Sequence, residues 1–272
     1  MPARSQPVLA LFGAMLLLAA CETAPVTGRS QMMLVSESEE QQLGLQAYRQ
    51  VRASAPPSKN TVANEMVERV GWRIAKAAEK PPGELWKAPH YHWEFTTIDK
   101  NVANAFCLPG GKIAVYTGLL PITRDETGLA VVMGHEVAHA LARHAAERIS
   151  DQRVAQAGSA VAAVALGTTE KGNSGAYTPA IASALGVATN VGFLLPMSRA
   201  QESEADRIGL VLMARAGYDP REAVALWERM RAADAGKSKT PTFLSTHPTD
   251  ATRIAQIREW IPEAMKYYRP QG

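Results

Sequence analysis

Two cysteines in 272 residues cannot form a disulfide framework, so stability has to come from a buried core. Charge of one sign is also missing. Lysine and arginine number 29 against 26 acidic residues, giving a net charge of +3 with the signs interspersed, which argues against a nucleic-acid partner. Beyond the N-terminal twenty residues, long runs of large apolar side chains are absent. The stretches from Val154 to Thr169 and from Ala176 to Met197 are largely uncharged, and the second reaches the length of a membrane span. Both are dominated by Ala, Gly, Ser and Thr, which gain little in lipid. Glu170 and Lys171 separate them, and Pro179 and Pro196 punctuate the second. They read as buried or partly exposed helices, with Gly167 to Gly175 as a mobile loop between them.

Histidine is scarce as well, with six in the chain, yet two of the six fall in His135-Glu136-Val137-Ala138-His139. Residues four apart meet on one helix face, so two imidazoles can hold one zinc ion while the carboxylate reaches a water beside it. Such a carboxylate serves as a general base for attack on a carbonyl. Leu129, Val132, Met133 and Glu136 fall at helical spacing, and Thr123 with Glu126 reads as a capping box. These signals predict one long helix from about Asp125 to about Ile149. Its apolar flanks imply burial, and buried charged groups need a partner such as a metal.

A catalytic zinc site takes a third protein ligand. A third histidine six residues after the second, following a glycine, is excluded, because those positions hold Ala145 and Ala142. On one continuous helix His144 would lie about 140° round from His139, too far to substitute. Downstream, Glu202 and Asp206 are four apart and share a face, while Glu204 points the other way. That spacing suits Glu202 as ligand and Asp206 as the acceptor that orients a zinc-bound histidine. His90 and His92 share a strand face, but no carboxylate or cysteine joins them at close spacing, so a solvent-facing pair is the simpler reading.

The ends and connections are also informative. Arg4 and the apolar run from Val8 to Ala20 form a secretion signal. It ends in Leu18-Ala19-Ala20-Cys21, which resembles a lipobox, where Cys21 would be lipidated and become the N-terminus of a membrane-anchored protein. Glu22 in the next position favours the periplasmic face of the outer membrane, by resemblance to other lipoproteins. Residues 21–36 read as a tether and 37–272 as the domain that carries the His-Glu-x-x-His helix. Helices are expected from Glu37 to Val51 and from about Asn60 to Glu79, and strands at His90 to Ile98, Asn104 to Leu108 and Lys112 to Thr117. Pro109-Gly110-Gly111 joins the last two strands. Cys107 reads as a small buried residue, with a disulfide to Cys21 as the alternative.

With these motifs the chain resembles the M48 zinc metallopeptidases. The resemblance rests on His135-Glu136-x-x-His139 with Ala142-Arg143-His144, on Ser198-Arg199-x-x-Glu202-x-x-Ala205-Asp206, on Asn104 to Ile113, and on Gly118-Leu119-Leu120. It is narrower still to the lipoprotein members of Gram-negative envelopes. It implies an α+β, mainly helical, zincin-like fold with a small antiparallel sheet packed on the active-site helix. One zinc would be bound by His135, His139 and Glu202, with Glu136 as base and Asp206 as proton donor or orienting residue. A substrate protein would lie extended along a sheet edge near Asn104 and Ala105. In the loop Ser245 to Asp250, His247 would either donate to the oxyanion or swing onto the zinc as a latch, with Arg253 a weaker oxyanion candidate. The expected role is an endopeptidase that removes misfolded or damaged envelope proteins. The alternative is a latched, weakly active protein that assists outer-membrane protein assembly. Related envelope proteases can carry a C-terminal helical-repeat domain for docking; it is not expected here, because the chain ends at Gly272.

Overall fold

The computed structural model describes residues 21–165, 197–234 and 242–270. The secretion signal, the loop at 167–175 and nearly all of the second uncharged stretch lie outside the described residues. No described helix is long and apolar enough to cross a membrane.

The architecture is α+β and mainly helical. Strands β1 (Cys21–Thr23) and β2 (Ser30–Met32) form an antiparallel hairpin. Helices α1 (Glu37–Ser54) and α2 (Thr61–Ala78) follow, each capped by a side chain one residue ahead: Ser36 accepts from the Glu39 amide and Asn60 from the Ala63 amide. Strands β3 (Glu94–Ile98), β4 (Ala105–Leu108) and β5 (Lys112–Tyr116) then build a sheet in the order β3-β5-β4. The longer helices that follow among the described residues are α3 (Glu126–Leu141), α4 (His144–Ala165), α5 (Arg199–Arg215), α6 (Glu222–Asp234) and α7 (Ala251–Met265).

The sheet was expected to be antiparallel and is mixed. β4 and β5 form the expected hairpin, but β3 runs parallel to β5, with Glu94 opposite Lys112 and Ile98 opposite Tyr116. Alternation within a strand says which face is buried and nothing about partner order. Both faces of the sheet are covered. Cys107, Ile113 and Val115 belong to the main core, which also takes in α2, α3, α5 and α6. Phe106, Leu108, Ala114 and Tyr116 form a second core with Tyr48 and Val51 of α1 and Ile149 of α4.

Helix α3 is buried on every side from Gly128 to Leu141. It packs against α5 with backbones nearly touching. A Cβ on Gly134 would lie 3.0 Å from the Gly209 carbonyl oxygen, and one on Gly209 would lie 3.0 Å from the His135 amide nitrogen. Two glycines facing each other therefore set how closely the two motif-bearing helices approach.

Three expectations need correction. The cap of α3 is Asp125, which accepts from the Gly128 amide; Arg124 adopts a left-handed φ of 69°, so the helix starts beyond Thr123, whose hydroxyl donates to Leu120 instead. The long helix to Ile149 is two helices. Arg143 takes a φ of +56° between α3 and α4 and turns the chain. A non-glycine residue in that region costs about 1–2 kcal/mol. Here the Arg143 guanidinium donates to Glu22 at 2.8 Å, to Glu40 at 3.2 Å and to the Val35 carbonyl at 2.9 Å, which offsets the cost. Finally, residues 21–36, which read as a tether, are folded against the domain. The hairpin packs on the domain: Gln31 donates to the Ala142 carbonyl at 2.9 Å, and the Leu34 amide donates to Ser150 at 2.8 Å. Cys21 is exposed and Cys107 is buried.

Candidate metal centre

The one turn separating His135 from His139 on α3 brings their Nε2 atoms to 3.0 Å. The one turn separating Glu202 from Asp206 on α5 presents both carboxylates to them. Glu202 lies 3.5 Å from His135 Nε2 and 3.4 Å from His139 Nε2. His247, from the loop before α7, completes the group, with Nδ1 2.8 Å from Glu202 Oε1 and 3.2 Å from His135 Nε2. One ligand atom from each of His135, His139, Glu202 and His247 lies within 4.8 Å of every other, and all four residues are buried. Two or three imidazoles with one carboxylate form a donor set of the kind that binds zinc.

The surrounding charges fit a cation. Burial alone would lower the His135 imidazole, but Glu202 and Asp206 outweigh it and raise it to about 9. Burial would raise Glu202, yet Arg253, His247 and His135 hold it well below the usual carboxylate range. Burial pushes the His139 imidazole well down, which keeps its lone pair free. Glu136 is 4% exposed, and its Oε1 has no hydrogen-bond partner among the described residues. Burial raises its carboxyl above the ordinary value. It lines a cleft with Ala105, Cys107, Arg143, Met197 and His247. A buried carboxylate oxygen aimed into a cleft beside four metal donors is placed to accept a proton from a water held there.

Each α3 histidine is oriented by a different route. His135 Nδ1 lies 3.0 Å from Asp206 Oδ1. A carboxylate only accepts, so Nδ1 donates, and in the neutral imidazole that a bound metal requires Nε2 keeps its lone pair. Asp206 is itself gripped by Arg253, whose Nε donates at 2.6 Å and Nη2 at 2.8 Å. The Arg253 guanidinium also stacks 3.9 Å over Trp227 and pairs with Glu202. These contacts use the fork fully, so the structure does not present Arg253 as a free oxyanion donor.

His139 is held by a relay that the sequence reading left out. His139 Nδ1 lies 2.7 Å from His144 Nδ1, and His144 Nε2 lies 2.9 Å from Glu204 Oε2. Glu204 accepts at the far end, so His144 Nε2 donates. His144 Nδ1 then accepts from His139, and His139 Nε2 keeps its lone pair. The expected 140° separation of His144 fails because the helix breaks at Arg143. Glu204 left no signal in the sequence: it points away from Glu202 and Asp206, and only the structure shows that it is buried and needs a partner of its own.

His90 and His92 are exposed and outside the cluster, and the strand begins only at Glu94. Asp250 caps α7, accepting from the Arg253 amide at 2.9 Å, and His247 just before it faces the cluster. Its ring stacks on Phe243 with centroids 4.6 Å apart. Asn104 and Ala105 are buried at β4, an outer strand of the sheet.

Comparison with known proteins agrees with this geometry. The model of Peptidase family M48 matches residues 63–261. The chain is 45% identical over 172 residues to the mitochondrial metalloendopeptidase OMA1 of Schizosaccharomyces pombe, covering 63% of this chain and 48% of that protein. It is 34% identical over 259 residues to the mitochondrial metalloendopeptidase OMA1 of Saccharomyces cerevisiae, covering 91% and 71%. It is 29% identical over 244 residues to the Beta-barrel assembly-enhancing protease of Escherichia coli K12, covering 87% and 47%. The chain thus spans about half the length of the first and third of these relatives.

Proposed function

The chain belongs to peptidase family M48, and on that premise we propose that it is a zinc-dependent endopeptidase. The observation that carries the reading is the set of donors from His135, His139 and Glu202 with the buried Glu136 carboxylate beside them, its Oε1 3.4 Å from His247 Nε2. A zinc ion bound there supplies positive charge that makes a water more acidic and polarises a carbonyl. Glu136 takes the proton of the attacking water and delivers it to the leaving amine. Asp206 and His144 hold the two imidazoles so that each presents Nε2 inward.

His247 occupies the place of a fourth donor in this conformation, which supports the latch reading. Swung aside, its imidazole would be free to donate to the oxyanion. The substrate lies extended along β4. The Tyr116 amide donates to the Asn104 carbonyl, so strand alternation turns the Ala105 N–H and C=O away from β5 and toward an added strand.

The working place is the cell envelope, with Cys21 lipidated at the periplasmic face of the outer membrane and misfolded envelope proteins as substrates. The lipobox-like run and the exposure of Cys21 support the anchor. The name of the Escherichia coli relative supports the compartment, whereas the names of the fungal relatives place those proteins in mitochondria. The test of the chemistry is a Glu136→Gln variant, expected to keep its zinc and lose casein cleavage; retained cleavage would sink the assignment. Glu202→Gln should lower the zinc content. His247→Ala should raise casein cleavage if the latch governs the resting enzyme. Cys21→Ser should abolish incorporation of labelled palmitate.

A further inference from the structure

The turn between β1 and β2 reaches the metal centre. Arg29 in that turn meets two buried carboxylates at once. Its Nε donates to Glu204 Oε1 at 2.8 Å and its Nη2 to Glu204 Oε2 at 3.1 Å. Its Nη1 and Nη2 also donate to Glu147, at 2.5 Å and 2.8 Å. Thr27 of the same turn donates to Glu204 Oε1 at 2.7 Å. Glu204 is therefore fixed on one side by the turn and bonded on the other to His144 Nε2. Glu147 is tied to α5 through Gln201, which donates at 2.8 Å.

We propose that Arg29 is a positioning residue for the metal centre, acting on His139 through Glu204 and His144, so that residues 21–32 form part of the site. This rests on the reading of His135, His139 and Glu202 as zinc ligands. The physical reason is placement. The His139 ring is aimed by one hydrogen bond from its Nδ1, and that bond ends on an imidazole whose own orientation is set by Glu204. A carboxylate that is 2% exposed needs its charge compensated in place. Arg29 does so with a fork that matches both Glu204 oxygens and reaches Glu147 as well, which a lysine's single ammonium cannot reproduce. Without that fork Glu204 loses its fixed position, His144 swings, and the His139 Nε2 atom leaves the arc on which His135 and Glu202 converge.

The test measures zinc affinity by chelator competition on the purified full chain, with the helical circular dichroism of each variant as a check on folding. Arg29 is partly exposed, so Arg29→Met should fold. Outer partners of metal-bound histidines typically alter affinity about 10–100-fold. The expected result is a loss of about tenfold for Arg29→Met, with Arg29→Lys recovering only part of it. His144→Phe should show a comparable or larger loss. Arg29→Met added to His144→Phe should change affinity less than about twofold, because the relay is already cut. The visible spectrum of the cobalt-loaded protein should shift in Arg29→Met, which a loss of general stability would not produce. Unchanged zinc affinity in folded Arg29→Met overturns the proposal. So does a further tenfold loss in the His144→Phe background, which would show that Arg29 acts by another path. Wild type that binds no zinc would instead overturn the reading of the centre itself, and the proposal with it.

Discussion

The two histidines of α3 are held in opposite ways, and the contrast separates what is local from what is long-range. His135 is fixed in one step by Asp206, four residues from Glu202 on the same helix, with Arg253 behind it. His139 is fixed through two residues, His144 and Glu204, ending on a turn near the start of the described chain. The first arm is short, buried and built from helical spacing. The second depends on a backbone break and on contacts between segments far apart in sequence. A site with one rigid arm and one remote arm can be disturbed at a distance only through the second.

Glu136 belongs to neither arm, so Glu136→Gln should separate chemistry from architecture. Casein cleavage should fall on the order of 10⁴-fold, near the upper end for loss of a general base, with metal content unchanged. Loss of metal as well would mean that Glu136 is part of the scaffold. Next in size is Asp206→Ala, which removes one of the two carboxylates paired with the buried Arg253. Removing one member of a buried pair costs about 3–5 kcal/mol. Urea unfolding should register that loss, and a change under 1 kcal/mol would show the first arm to be less rigid than its contacts imply.

The segment around the helix break should respond to pH. Burial raises Glu40 from 4.5 to about 7 despite Arg143 beside it. A group raised in the folded state gives stability that is complete below 4.5 and lost as the pH rises through 7. Wild type should therefore lose stability between pH 5 and pH 8 relative to Glu40→Gln, by about 3 kcal/mol at most. Parallel pH profiles for the two proteins would contradict the assignment. Strain at the break is a smaller effect. Arg143→Ala should be less stable than Arg143→Gly by about 1 kcal/mol, since glycine adopts the left-handed conformation without cost. Equal stability would mean the turn relaxes. Smallest is Thr27→Val, which removes one hydrogen bond to Glu204, worth about 1 kcal/mol. A zinc affinity lowered more than tenfold in that variant would place Thr27 ahead of Arg29 in the remote arm.

The same contrast explains what could be read without the structure. His135, His139, Glu202 and Asp206 come together as expected because spacing on a helix fixes which side chains share a face. The helical fold and the β4–β5 hairpin follow from periodicity and from Pro109-Gly110-Gly111 in the same way. His144, Glu204 and Arg29 did not, because their meeting requires Arg143 at φ +56°, a conformation that arginine does not announce. The parallel pairing of β3 with β5 was hidden for a related reason, since no local pattern names a strand's neighbour. The closeness of α3 and α5 did leave a trace, in Gly134 and Gly209, but only their juxtaposition gives the two glycines meaning.

The Arg29 turn also has a consequence in time. Its partners lie 118 and 175 residues further along the chain. Synthesis runs from the N-terminus, and contacts between distant segments form slowly. The turn is thus among the first of the described segments to be made and among the last to find its place. Until Glu204 arrives, His139 has no fixed orientation, and until His247 and Arg253 follow, the cluster is incomplete. A site wired in this way stays unassembled in the nascent chain until its last contributing segment, with Arg253, has been made.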